Sequence, residues 1–285
     1  MQNSRMLVLL ISCVLVLFVV ILAIFFSLLR ILYHIIVVFQ LFVVKQIWRL
    51  IPCFPAPGKI QMAVDRWLLQ HYQHQFLKTY SGILRFYTWS PPAISLGHHQ
   101  KTYPDFWHHL IWQGERIDLV CRPSGGRAVL HQGDLTYTVI TSAITGNRLQ
   151  SYTKICDFLI QGWGSLGVQL SYGQAGRGYI HNPNCFGTAT GADLILSNGA
   201  KLIGSAQLRT DKTILQHGSM ALEPDQELFE TIFGESSFVP INFPKSLTRE
   251  VIIPSLIAAA CDVFNIDLEE EPLSPEEWQQ IMASD

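Results

Sequence analysis

Two residues near the middle of the chain have side chains that could do covalent chemistry together. Cys185 sits in the polar stretch NPNCFGTAT, and Lys201 opens the returning half of DLILSNGAKLIG. A thiolate is a nucleophile, and a neighbouring ammonium favours that charged form. Cysteine and lysine brought together this way suit acyl transfer. The sulfur would carry the acyl group, and the lysine would stabilise the thiolate and move its proton. Blander roles exist for both. A free cysteine is most often a small buried hydrophobe, which is how Cys121 and Cys156 read within their apolar runs, and a lone lysine on an edge strand deters aggregation. Cys185 differs because Asn182, Pro183, Asn184, Gly187, Thr188 and Thr190 surround it, a setting that leaves sulfur accessible.

A second candidate is RPSGGRAVLHQGDLTY, residues 122–137. Adjacent glycines allow a tight turn and let a ligand approach the backbone, where amide groups could stabilise an oxyanion. Arg122 and Arg127 flank the turn and His131 follows it. Taken alone, the segment reads as a hairpin turn with solvated arginines and a structural histidine. The pairs His98-His99 and His108-His109 point their rings in different directions and lack ligand spacing, so they read as surface or structural residues, not as metal ligands. GQAGRG follows no clear strand and is no dinucleotide fingerprint.

The elements that must position these residues follow from periodicity. Ile60–Tyr80 has helical spacing. Strand-like runs cover Ile83–Trp89, Ala93–Leu96, Ile117–Cys121, Arg127–His131, Leu135–Thr141 and Thr213–His217. Tyr152–Trp163 reads as a helix. Asn198-Gly199 suits a two-residue type I′ hairpin with Leu196 facing Lys201. Late helices are expected at Leu247–Phe264, with Pro254 as a kink, and after Ser274, where Glu277 completes a capping box. Strands clustered between helices without βαβ alternation predict an α+β fold: a mixed, largely antiparallel sheet with flanking helices.

Ahead of this body, Met6–Leu29 is uncharged and long enough to cross a hydrocarbon core, and Ile31–Val44 reads as its interfacial continuation. Residues 1–48 are therefore expected to be a membrane-associated N-terminal hydrophobic helix. The flanking Arg30, Lys45 and Arg49 favour a cytoplasmic body tethered to the membrane. A signal peptide and a start site further downstream are the competing readings. Residues 49–58, with three prolines, read as a linker. The formal charge of −2 in 285 residues gives no reason to expect nucleic acid, and six scattered cysteines fit neither a zinc site nor a disulfide framework.

LRFYTWSPPAISLGHHQ, RPSGGRAVLHQGDLTYTV, DLILSNGAKLIGSAQ and ILQHGSM, in this order, resemble the lipoate–protein ligase A and octanoyltransferase family, related to biotin protein ligases. The likeness spans residues 60–230, within an expected catalytic domain of 59–285. It implies a mixed sheet around an acyl-binding tunnel and a catalytic pair of Cys185 and Lys201. The substrate-binding residues it implies are Arg122, Ser124, Gly125, Gly126, Arg127, Ala128, His131, Tyr137, Gly204, Ser205, Ala206, His217 and Gly218. Cys185-Phe186 upstream of the lysine hairpin resembles the cysteine-dependent octanoyltransferase branch. That branch implies octanoyl-acyl carrier protein as donor, and as acceptor a lipoyl-domain protein such as glycine-cleavage H protein or a 2-oxoacid dehydrogenase E2. It implies no cofactor and no metal. An ATP-dependent lipoate–protein ligase, using ATP and Mg, is the alternative, and an inactive acyl- or carrier-binding relative is a third. The N-terminal hydrophobic segment departs from the family.

Overall fold

The computed structural model describes residues 21–22, 24–33, 45–76, 79–173, 192–234, 241, 243–244 and 246–284. The chain divides into two compact units, Met1–Lys45 and Gln46–Asp285. In the first, the described residues between 21 and 33 are helical and exposed. The expected span Met6–Leu29 lies largely outside the described residues, and among those described no helix is long and apolar enough to cross a membrane.

The second unit is built on an eight-stranded mixed sheet. Its strands are β1 (Gln46–Ala56), β2 (Gly82–Trp89), β6 (Asp134–Thr141), β7 (Ser171–Tyr172), β8 (Leu194–Ile195), β9 (Lys201–Thr210), β10 (Thr213–Ala221) and β11 (Ile266–Glu270). They run in the order β11-β1-β2-β6-β10-β9-β8-β7. β1 is parallel to both β11 and β2, and the remaining pairs are antiparallel. A smaller sheet places β3 (Ala93–Leu96) between β4 (Asp118–Cys121) and β5 (Val129–His131). The helices are α1 (Gly58–His71), α2 (Arg148–Ser165), α3 (Gln226–Phe233), α4 (Arg249–Phe264) and α5 (Pro275–Ala283).

Side-chain alternation along the strands gives the large sheet two buried faces. On one, Leu84, Phe86, Tyr137 and Val139 pack against Ile155, Phe158 and Trp163 of α2 and Ile252 and Leu256 of α4. On the other, Ile83, Ile140 and Leu215 meet Val64, Trp67 and Leu68 of α1. A third core joins the small sheet, through Ile94, Leu96 and Leu130, to Leu228, Phe229 and Ile232 of α3. The capping box at Ser274 and Glu277 forms, and Pro254 lies inside α4.

Residues 49–58 are not a linker. Residues 46–56 form β1, with Trp48, Leu50 and Ile51 in the core. The prolines are tolerated for a local reason. β1 pairs with β11 only through Leu50, and its register against β2 shifts between Ile51 and Phe54. Pro52 and Pro55 thus fall where the strand is an edge or a bulge and an N–H is not needed. The second compact unit begins at Gln46, not at residue 59.

The lysine hairpin also differs from expectation. Of Asn198 and Gly199, only Gly199 has positive φ (81°), so the turn is not type I′. Asn198 Oδ1 accepts from the Ala200 N–H (3.0 Å), and Leu196 N–H donates to the Ala200 carbonyl (2.9 Å). The longer loop with a glycine bulge moves the register by one, so Ile195 rather than Leu196 faces Lys201. Cys156 is buried as expected, but Cys121 is exposed. It ends β4, an outer strand of the small sheet, and alternation buries Val120 instead.

Candidate active site

A cavity of about 470 Å³, part of it open to solvent, lies on the α1-facing side of the sheet. β2 supplies Tyr87 and Trp89, β3 supplies Ser95, α1 supplies Met62, and β9 and β10 supply their paired central residues. Arg122, Gly126, His131, Gly204, Ser205, Ala206, His217 and Gly218 all border it.

Lys201 does not itself border this cavity but comes close to Gly204, which does. A Cβ on Gly204 would lie 2.9 Å from Lys201 Nζ and 3.8 Å from Asp193 Oδ1. The missing side chain is what lets the lysine fold back over its own strand. The ammonium is buried and forms an ion pair with the Asp193 carboxylate, Nζ to Oδ1 2.9 Å. A cation held this way can polarise a carbonyl or favour a thiolate without swinging away. Cys185 lies outside the described residues.

Two serine–histidine–aspartate chains shape the cavity wall. In the first, His131 Nδ1 faces Asp134 Oδ2 (2.8 Å) and Nε2 faces Ser95 Oγ (2.8 Å). With a carboxylate on Nδ1, the ring donates there and Nε2 accepts the serine proton. The imidazole stacks on Trp89, centroids 3.8 Å apart. Burial pulls the His131 pKa below its ordinary value despite the raising influence of Asp134. Asp134 Oδ2 also accepts from Thr136 (3.1 Å) and Ser219 (2.6 Å).

The second chain joins three distant segments. His217 Nδ1 faces Asp65 Oδ2 (3.0 Å), and Nε2 faces Ser124 Oγ (2.5 Å). Asp65 also takes Arg85 Nη1 (3.0 Å), Tyr87 OH (3.1 Å) and Thr138 Oγ1 (3.0 Å). Burial works to raise the Asp65 pKa, but the His217 hydrogen bond and the Arg85 charge overcome it and hold the carboxyl low.

The glycine turn is organised from within. Buried Arg122 donates from Nη1 to the Ser95 carbonyl (2.8 Å) and Oγ (3.2 Å), and from Nη2 to the carbonyls of Gly125 (3.0 Å) and Arg127 (2.7 Å). Gly126 takes φ 102°, a conformation that favours glycine, with Arg122 Nη2 2.7 Å from where a Cβ would stand. Arg122 is therefore not a solvated arginine: it borders the cavity while fixing the loop.

Five residues expected at the substrate do not border this cavity. Ser124 is fully buried behind it, bonded to His217, while Gly125 and Arg127 offer carbonyls to Arg122. Ala128 packs in the small-sheet core with Ile94. Tyr137 lies on the opposite sheet face, where its hydroxyl meets Ser205 Oγ (2.8 Å) and accepts from Gln216 Nε2 (3.1 Å). By strand alternation Thr136 and Thr138 face the α1 side and the Tyr137 side chain the other. Ser95, Asp134, Asp65 and Asp193 were missed from sequence. Only Asp134, three residues beyond His131, carried a local signal. The paired histidines 98-99 and 108-109 are exposed, and among the described residues no group of three or more His, Cys, Asp or Glu could hold a metal ion.

Residues 57–255 match the lipoyl protein ligase A/B catalytic domain. Octanoyltransferase LipM of Carboxydothermus hydrogenoformans is 34% identical over 191 residues, covering 65% of this chain and 69% of that protein. Octanoyltransferase LipM of Moorella thermoacetica is 32% identical over 226 residues, covering 77% and 78%. Among solved structures, a lipoate-protein ligase A bound with ATP superposes with TM-score 0.66 at 18% identity, over 84% of this chain and 94% of that one. A bipartite lipoate protein ligase of Thermoplasma acidophilum, described with its E2 lipoyl domain, gives 0.65 at 17%, over 84% and 91%. At such identities the structures establish the fold alone.

Proposed function

Because the chain belongs to the lipoyl protein ligase A/B catalytic domain family, we propose that it is a protein octanoyltransferase of lipoylation. The octanoyl thioester of acyl carrier protein places its chain in the cavity and its carbonyl at Lys201. The Cys185 thiolate attacks that carbonyl, a tetrahedral oxyanion forms, and the carrier's thiol leaves with a proton. The resulting Cys185 thioester is attacked by the amine of an acceptor lysine on a lipoyl domain. An amide forms, the amine loses a proton, and the thiolate is restored. Splitting the transfer in two lowers each barrier.

The observation that carries this reading is the buried Lys201–Asp193 ion pair beside Gly204, a residue that borders the mostly apolar cavity. A fixed ammonium there stabilises both the attacking thiolate and the developing oxyanion. The role of Cys185 rests on its motif and on the LipM relatives. No cofactor enters the scheme.

The deciding assay supplies either octanoyl carrier without ATP or free lipoate with ATP, and follows mass gain on a lipoyl domain. Transfer from the carrier alone is expected, with a thioester at Cys185 on the intact protein. Cys185→Ser should abolish transfer and Lys201→Ala should lower it by about 100-fold or more. Activity only with free acid and ATP would assign the chain to the ligases, and a chain that binds octanoyl carrier without turnover would be a non-catalytic relative.

The unit is proposed to work on the cytoplasmic side, tethered through the N-terminal segment, whose described helical residues expose Phe25, Phe26 and Leu28. Carbonate extraction of membranes should leave the full chain in the pellet and release a chain starting at Gln46; recovery of both in the supernatant would refute the tether.

A further inference from the structure

A second cavity, of about 1070 Å³ and partly open to solvent, lies beside the first and is bordered by Arg66, Gln73, His98, Pro123, Leu208 and Thr213, among others. The sheet register fixes how the two are related. β9 and β10 pair Gly204 with Ser219, Ala206 with His217, Leu208 with Leu215, and Thr210 with Thr213. Alternation puts these four rows on one face. The first two rows border the first cavity; Leu208, Thr210 and Thr213 border the second. The other walls repeat the order. On α1, Met62 borders the first cavity and Arg66, one turn on, the second. In the glycine loop, Arg122 and Gly126 border the first and Pro123 the second.

Between the two stands the row of Ala206 and His217. There the His217 ring reaches from β10 to Ser124 of the loop and to Asp65 of α1. These are the elements that wall both cavities, and their side chains tie them together at that row. Ser124 and Asp65 are fully buried and His217 is only 5% exposed.

We infer that the Ser124–His217–Asp65 bridge is the far stop of the acyl cavity and sets the length of acyl chain transferred, with the second cavity in line behind it. The inference rests on the proposed acyl transfer. Lys201 lies beside Gly204, so a carbonyl held by its ammonium sits at the Gly204 row, and a chain laid along the strands from there meets the Ala206–His217 row next. Rows are spaced by about 6.6 Å, two residues of strand rise. Removing the imidazole would extend the path by about one row, toward Leu208 and the larger space. Both His217 ring nitrogens already have partners, so the bridge offers a terminal methyl group a wall without an unmet donor.

The test measures kcat/KM for carrier-bound acyl chains of six to fourteen carbons. Wild type should favour eight, and failure of wild type to transfer any chain would refute the acyltransferase reading itself. His217→Ala should raise the twelve-to-eight-carbon ratio at least tenfold. Ala206→Leu fills the same row from the facing strand and should shift preference to six carbons by a similar factor. Melting curves establish that each variant folds, and if His217→Ala does not fold, Ala206→Leu decides. An active wild type whose chain-length profile is unchanged in the folded variants overturns the stop.

Discussion

The two serine–histidine–aspartate chains have the same order of atoms, yet they are built from different kinds of neighbours. Ser95–His131–Asp134 is largely a local product. Its histidine and carboxylate are three residues apart, at the end of β5 and the start of β6, and β3 is the strand paired with β5. Ser124–His217–Asp65 joins a loop, a central strand and a helix, with His217 and Asp65 separated by 152 positions. The first chain depends on one short turn and the strand beside it; the second depends on the whole sheet being in register. The site thus combines a locally specified wall with one that only the complete fold can assemble.

Neutralising the two aspartates separates these cases most sharply. Asp65 is fully buried beside the equally buried Arg85 guanidinium, which also bonds Gln61 and lies over the Tyr87 ring at 4.1 Å. Asp65→Asn keeps the shape but leaves that cation without its carboxylate, an imbalance that typically costs about 3–5 kcal/mol. Asp134→Asn weakens acceptors for His131, Thr136 and Ser219 and should cost about 1–3 kcal/mol. Chemical denaturation of the two variants checks the order. Equal losses would mean that the Arg85 charge is compensated elsewhere and that the long-range chain is no more dependent on its carboxylate than the local one.

The same contrast explains what the sequence could convey. Strand and helix periodicity recovered β2, β3, β6, the middle of α2 and the capping box of α5, because those signals lie within a few residues. The glycine turn and the Lys201 hairpin were recognisable as motifs, but not the Asp193 partner, which required the pairing of β8 with β9. His131 could be flagged, whereas Asp65 looked like any polar residue on a helix, and only the packing of α1 on the sheet buries it. β11 has a charged IDLEE sequence that gives little strand signal, so the parallel pairing that holds the first half of β1, up to Leu50, was invisible.

Acid offers a gentler way to separate the chains, because their titrating groups act in different pH windows. Burial holds His131 below its ordinary pKa of 6.5. Between that value and its lower folded value, the unfolded chain binds a proton that the folded chain does not, so stability rises with pH. The His131 contribution is therefore full above about 6.5 and drains away as pH falls, at a slope of at most about 1.4 kcal/mol per pH unit. Asp65 is also held low, but its contribution is present above its unfolded value of about 3.9 and is lost only as pH falls below it. Melting temperatures between pH 7.5 and 5 thus sample His131 and leave Asp65 untouched. His131→Gln preserves a polar group between Ser95 and Asp134 but cannot titrate, so its melting temperature should fall less steeply across that range. Parallel slopes for variant and wild type would show that the local chain accepts the proton without penalty, and that its imidazole is not kept neutral by burial.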